Sequence, residues 1–222
     1  MTPGRASWLT AFVTALSLCL VAGPAAADLT VKGDAAAWRE VVAAYGKLNG
    51  LPGYRMKTTM PQGSMVVEAV PGNDAMHSTM QSPNGEMEIV VVGGQSRMRT
   101  TAQGAPAGWR CVNIPQMPRF SDPAAFQGTV DIARAPDAAI DGQPMRVYIY
   151  TMEGSAGGPM GAGGGFKTTL YVGSDNGLPR RVVLATPRGE QALDYYDYGA
   201  SIQITLPPCA GEFIAPAARR SC

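Results

Sequence analysis

Histidine occurs once in the 222 residues, at His77, and no two of the four cysteines form a Cys-x-x-Cys pair. A single imidazole, with no Gly-x-Ser-x-Gly elbow, leaves a hydrolytic triad without its parts. The cysteine spacing likewise argues against a catalytic thiol. An excess of either charge is also lacking: 18 basic residues face 17 acidic ones. Nucleic-acid binding needs clustered Lys and Arg to displace counterions, and this chain has no such cluster. After Val21 no run is long and apolar enough to cross a bilayer as a helix. The one glycine-dense stretch, Glu153 to Gly165, ends in no Gly-Lys-Ser/Thr and has no strand-to-helix context, which excludes a phosphate loop.

What is present begins with an export signal. Arg5 gives a positive start, Trp8 to Val21 is apolar, and Ala25-Ala26-Ala27 precedes Asp28 as a small-residue cleavage site. The apolar run is too short for a membrane anchor, and Leu18 is too bulky to precede a lipidated Cys19. The expected organisation is a signal peptide over 1–27, one domain over 28–206 with length enough for a real core, and a tail over 207–222. The expected location is the periplasm or the exterior. There the odd set Cys111, Cys209 and Cys222 meets an oxidising environment. Cys209 with Cys222 closes the shorter loop and is the favoured disulfide; Cys111 with Cys209 is the alternative.

The segment Asp34 to Leu48 predicts a helix, with Asp34 as its cap and Trp38, Val41, Val42 and Tyr45 recurring at three and four residues. From Tyr54 onward, short alternating segments are broken by Pro, Gly, Asn and Asp, the pattern of an antiparallel meander. The expected strands are Tyr54–Met60, Met65–Val70, Ala75–Gln81, Glu86–Val92, Ser96–Thr100, Met145–Met152, Phe166–Gly173, Leu178–Thr186, Glu190–Tyr198 and Ser201–Leu206. Ser121-Asp122-Pro123 reads as the start of a short, weak helix running to Arg134. The fold class is therefore mainly β with flanking helices. No crossover helices alternate with the strands, which disfavours a parallel α/β fold.

Eleven methionines follow the initiator. Because methionine adapts to irregular shapes, a wall rich in it suits loosely specified apolar guests, although the same residues could simply fill a core. Alternation points Met56, Met60 and Met65 to one side. Three polar constellations gain no chemistry. His77 beside Met76 and Met80 suggests copper, but alternation places the imidazole on the opposite strand face from both thioethers. Glu86 and Glu88 share a face at a spacing two acids could use on one substrate, yet alternating acids read better as a solvated face. Asp194 faces away from Tyr195. No cofactor or metal is expected, and no enzyme.

The order of elements, with Tyr54-Arg55-Met56-Lys57, Met65-Val66-Val67-Glu68, Met76-His77, a Gly85-Glu86 hairpin into Ile89-Val90-Val91-Val92-Gly93, and then Trp109, resembles the LolA and LppX-like periplasmic lipoprotein-carrier superfamily. The match covers Tyr54 to Trp109 well and the later strands by order alone. The resemblance implies an open, incomplete antiparallel β-barrel lidded by helices, with a hydrophobic interior that holds acyl chains. Met56, Met65, Val67, Met76, Met87 and Ile89 would then line the cavity or the helix-packed core, and the helix Asp34 to Leu48 would form part of the lid. Met98, Val147 and Ile149 join them as candidates on alternating strands. The implied function is non-catalytic binding of lipid or another apolar ligand, with lipoprotein carriage as its sharpest form. A sensor or structural domain that binds a protein partner in the envelope is the alternative. The glycine-rich loop Gly154 to Gly165, the segment Pro115 to Pro123 and the cysteine-bearing tail depart from the family pattern.

Overall fold

In a computed structural model the described residues are 29–60, 63–101, 108–113, 123–154, 166–187 and 189–209. The expected export signal, most of the glycine-rich loop and Cys222 fall outside them. Twelve strands among the described residues form one sheet: β1 (Thr30–Gly33), β2 (Tyr54–Met60), β3 (Gly63–Val70), β4 (Ala75–Ser82), β5 (Gly85–Val92), β6 (Gln95–Thr100), β7 (Arg110–Val112), β8 (Thr129–Ile140), β9 (Gln143–Glu153), β10 (Lys167–Gly173), β11 (Pro179–Thr186) and β12 (Gly189–Tyr196). Their spatial order is β1-β8-β9-β10-β11-β12-β2-β3-β4-β5-β6-β7. Only β1 to β8 is parallel. Two antiparallel meanders thus meet where β12 pairs with β2, and β1 and β7 remain as separate edges. A sheet this wide curls, and here it forms an open half-barrel.

One helix, α1 (Ala35–Asn49), covers part of the inner face. Its start follows from Asp34, whose Oδ1 accepts from the amides of Ala36 at 2.9 Å and Ala37 at 3.0 Å, satisfying donors that the first turn leaves without partners. Its buried stripe is Ala37, Trp38, Val41, Ala44, Tyr45 and Leu48, one face of a 3.6-residue period. That stripe packs on β1, β8, β11 and the 3₁₀ turn Pro123–Ala125. Trp38 meets Tyr150 edge-on with ring centroids 6.0 Å apart, a favoured aromatic geometry.

Three sequence expectations are corrected. The middle helix to Arg134 does not form, because residues from Thr129 onward are strand β8, paired with β9 through Ile140↔Gln143. Gly128 has φ +137°, and a Cβ there would sit 2.3 Å from the Glu153 carbonyl oxygen. That backbone is not helical, and the β-branched Thr129-Val130 pair favours strand. Asp141-Gly142, both at positive φ, closes the β8–β9 hairpin as a two-residue turn.

The expected strand Ser201–Leu206 is extended but joins no ladder. Both neighbours of β12 are already taken, by β11 and β2, and positive φ at Asp197 and Gly199 turns the chain out of the sheet. The disulfide joins Cys209 to Cys111, not to Cys222, with Cα atoms 5.4 Å apart and a sequence separation of 98. Loop length favoured the shorter closure, yet the cost of closing a loop grows only slowly with length. The direction of the extended segment decides instead. It leaves β12 where the Gly199 amide donates to the Gly53 carbonyl at 2.8 Å and reaches β7 nine residues after Ala200, with Ile202, Ile204 and Leu206 half-buried in alternation.

Candidate functional site

Strand alternation and pairing register sort every side chain of β2 to β7 to one of two faces. Tyr54, Met56 and Thr58 point inward, and register carries that face through Val67 opposite Met56, Ser78 opposite Val67, Ile89 opposite Ser78, Met98 opposite Ile89 and Arg110 opposite Met98. A neighbouring inward row runs Thr58, Met65, Met80, Met87, Thr100.

Burial divides this face. Met56, Val67 and Met76 are 0%, 1% and 5% exposed and belong to the core beneath the helix. Met65 and Val91 pack against that core at its margin. Met80, Met87, Ile89 and Met98 are half-buried inward residues of β4 to β6 beyond it. Together they make an apolar wall of three thioethers and one branched aliphatic side chain, and the inward positions of β3 to β6 carry no charge. Of the residues expected on sequence grounds, Met87, Ile89 and Met98 lie on this wall, Met65 borders it, and Met56, Val67 and Met76 lie in the packed core.

Val147 and Ile149 lie elsewhere. Register puts Tyr148 and Tyr150 inward, opposite Leu170 and Thr168, so Val147 and Ile149 face outward opposite Tyr171 and Thr169. Both faces of β9 are apolar, so its sequence pattern is symmetric, and the covering helix decides which face is interior. Sequence reasoning missed Met80 as a wall residue and Arg110 altogether. Met80 was legible: it shares a face with Met76, and the Pro83-Asn84 turn sets Met80 opposite Met87.

The helix-covered half is closed chemistry. Tyr45, Tyr54, Tyr150 and Tyr195 are all buried. Burial foremost, and then the proximity of Tyr45, push the Tyr150 and Tyr195 phenols well above the ordinary tyrosine range, and the same causes raise Tyr54. These groups stay protonated, and the Tyr150 and Tyr195 hydroxyls are hydrogen-bonded to Tyr45 within the core. At the end of this half Glu40 of α1 receives Arg146 Nη1 at 2.6 Å and the Tyr148 hydroxyl. Burial, followed by that bond to Glu40, lifts the Tyr148 phenol to about 12.

The outer face of β2 to β6 is a relay of opposite charges. Arg55 donates to Asp197 at 2.9 Å and to Glu68 at 2.8 Å. His77 lies between Glu68, 3.6 Å from Nδ1, and Glu88, 3.3 Å from Nε2. Arg99 pairs with Glu88 and stacks over Trp109 with Cζ 5.0 Å from the ring centroid. Burial works to raise the Glu88 carboxyl, but the hydrogen bond and charge of Arg99, with help from His77, outweigh it and hold the group below the ordinary glutamate range. His77 is thus a bridge between acids, on the face opposite Met76 and Met80. Among the described residues no group of three or more His, Cys, Asp or Glu could hold a metal ion.

No protein-family model matches the chain and no curated protein matches its sequence. Solved structures do match its fold. The Mycobacterium tuberculosis lipoprotein LppX is similar with a TM-score of 0.56 at 13% identity, over 78% of this chain and 100% of that one. LprF from Mycobacterium bovis is similar with a TM-score of 0.53 at 18% identity, over 81% and 100%. At such identities the likeness is one of fold: an open antiparallel half-barrel with a helix against its inner face.

Proposed function

We propose that this protein is a non-catalytic carrier of lipid or another apolar ligand in the periplasm or outside the cell, and that it holds its guest against the inner methionine wall of β4 to β6. The observation that carries this reading is the half-burial of Met80, Met87, Ile89 and Met98 on an uncharged inward face, beside a core that is complete without them. Apolar side chains left partly open on the inner side of a curved sheet are poised to gain burial from a guest, at about 25 cal/mol for each Å² covered. Thioethers adapt to chains of varied shape. The LppX and LprF fold, the resemblance in Tyr54 to Trp109 and the export signal support the same reading. Carriage of lipoprotein is its sharpest form.

Native mass spectrometry of protein purified from its own compartment, followed by organic extraction, tests the proposal. The expected result is a bound apolar species that Met87→Glu together with Met98→Glu removes. A protein that is consistently empty and binds neither fatty acid nor phospholipid would sink the reading in favour of a protein-binding domain of the same shape.

A further inference from the structure

Resting on the reading of the methionine wall as a ligand site, we propose that this site is under redox control. The Cys111–Cys209 disulfide latches the segment 201–208 as a strap behind the wall, and its reduction by a dithiol opens the strap and lowers affinity for the guest. The strap's path follows from burial on the outer face. Val70, Ala75 and Val90 face outward, alternating with the inward residues of β3 to β5, yet they are 8%, 7% and 5% exposed and lie outside the helix-packed cluster. The segment after β12 has both its ends on that outer side. At its start, a Cβ added to Gly53, which shares the outward parity of Arg55, would sit 3.2 Å from Ile202 Cδ1 and 3.3 Å from the Ala69 carbonyl oxygen. At its finish, Cys209 is bonded to Cys111, which register places opposite Arg97 and in line with Val90 and His77. From β2 to β7 is five inter-strand spacings, about 24 Å. The seven residues from Gln203 to Cys209 reach about 23–25 Å when extended. The chain thus has no slack for another route: it crosses the outer face of β3 to β6, with half-buried Ile202, Ile204 and Leu206 along the strip of Val70, Ala75 and Val90.

Among the described residues no hydrogen bond involves 201–208, so the strap is held by half-buried apolar side chains and by the disulfide. Fixing an extended segment costs conformational entropy at every residue, and partial burial is a weak counterweight. The covalent tie at Cys209 keeps the strap beside its strip. The strands it crosses carry the wall on their inward face, which lies beyond the helix-packed cluster. The edge strand β7 has three residues, paired to β6. The strap is therefore the brace that presents Met80, Met87, Ile89 and Met98 as one surface, and a preformed surface binds more tightly than one the guest must order. In the reduction, one thiolate of the dithiol attacks a sulfur of the cystine and the S–S bond breaks to a mixed disulfide. The second thiol then displaces the remaining cysteine: the protein gains two electrons and two protons, and the dithiol leaves as its cyclic disulfide. Both cysteines are half-buried, which leaves them open to such a reductant. Linkage makes the effect mutual, so a guest that prefers the latched form opposes reduction by the same factor.

Fluorescence titration of the full-length exported protein with cis-parinaric acid tests the proposal, before and after treatment with dithiothreitol, with free thiols capped by iodoacetamide in both samples. The reduced protein is expected to bind about tenfold or more weakly, within the usual range of coupling between two sites. Saturating ligand should raise the ratio of reduced to oxidised dithiothreitol at half reduction by the same factor. A Cys111→Ser, Cys209→Ser double variant should bind as the reduced protein does, with or without dithiothreitol. Hydrogen exchange separates an opened strap from unfolding: on reduction, β6 and β7 are expected to lose protection while β8 to β12 keep it, and loss across the whole sheet overturns the proposal. Equal affinity of the oxidised and reduced forms also overturns it but leaves the wall as a ligand site. Binding by neither form removes the reading on which it rests.

Discussion

The inner faces of β8 to β12 and of β4 to β6 belong to one sheet and obey one alternation, yet they are built for different ends. Under α1, the first is filled by Tyr148, Tyr150, Leu170, Val182, Leu184 and Tyr195, each 7% exposed or less. These side chains form one cluster with Trp38, Val41 and Leu48, and the buried Tyr150 and Tyr195 phenols are hydrogen-bonded to Tyr45. The second carries Met80, Met87, Ile89 and Met98, half-buried and beyond the helix-packed cluster. The lesson is a division of labour. Rigid aromatic and branched residues stabilise the framework where the helix covers it, and adaptable methionines stand where folding does not need them covered.

Mutations should separate the two halves. Trp38→Ala in the covered half is expected to cost about 3–5 kcal/mol in urea denaturation, the range for emptying a large buried site. Cys209→Ser, which frees the tie between the extended segment after β12 and the edge strand β7, should cost about 2–5 kcal/mol because a loop closed across a sequence separation of 98 is released; the same loss should appear in the wild type on reduction. Met98→Ala in the open half should cost below about 1 kcal/mol by the same denaturation assay, since a half-buried side chain has less burial to lose than a core one, while weakening ligand affinity.

Two smaller effects sharpen the contrast. The Glu88 carboxyl is held low in the folded protein, so its stabilisation is present above the unfolded value of about 4.3 and is lost as pH falls through the depressed folded value. Glu88→Gln should therefore flatten the decline of thermal stability with acid below about pH 4.3. Gly46 lies exposed in α1, and beyond its chain neighbours and its own helix's backbone no atom lies within 4 Å of where a Cβ would be. Gly46→Ala should raise stability by about 0.5–1 kcal/mol without touching ligand binding, read by calorimetry.

The meander from Tyr54 to Thr100 was legible because each strand is short, alternates, and ends in turn residues whose backbone needs are visible: Pro83-Asn84 before Gly85, Gly93-Gly94 before Gln95. Helix α1 was legible from its Asp34 cap and stripe. Strand β8 was misread as helix because Pro123 and the alanines around it favour a helix start, while the Asp141-Gly142 turn that marks the hairpin lies at its distant end. Strands β1 and β7, at four and three residues, are too short for any period to show. The wall was half legible: alternation assigns residues to faces, but only the position of α1 tells which face is interior and which part of it is left uncovered. Hence Val147 and Ile149 were indistinguishable from Tyr148 and Tyr150 in pattern, and Met56 from Met87.

The central claim is that the uncovered methionine face takes an apolar guest while the helix-covered half carries the fold. Its most direct test is titration of the wild type and of a Met87→Glu, Met98→Glu double variant with a fluorescent fatty acid, alongside thermal melts of both. The account predicts saturable binding to one site in the wild type, a loss of about tenfold or more in the variant, corresponding to 1.4 kcal/mol or more, and nearly equal melting temperatures. Equal affinity in the two proteins, or no binding to the wild type, would contradict it.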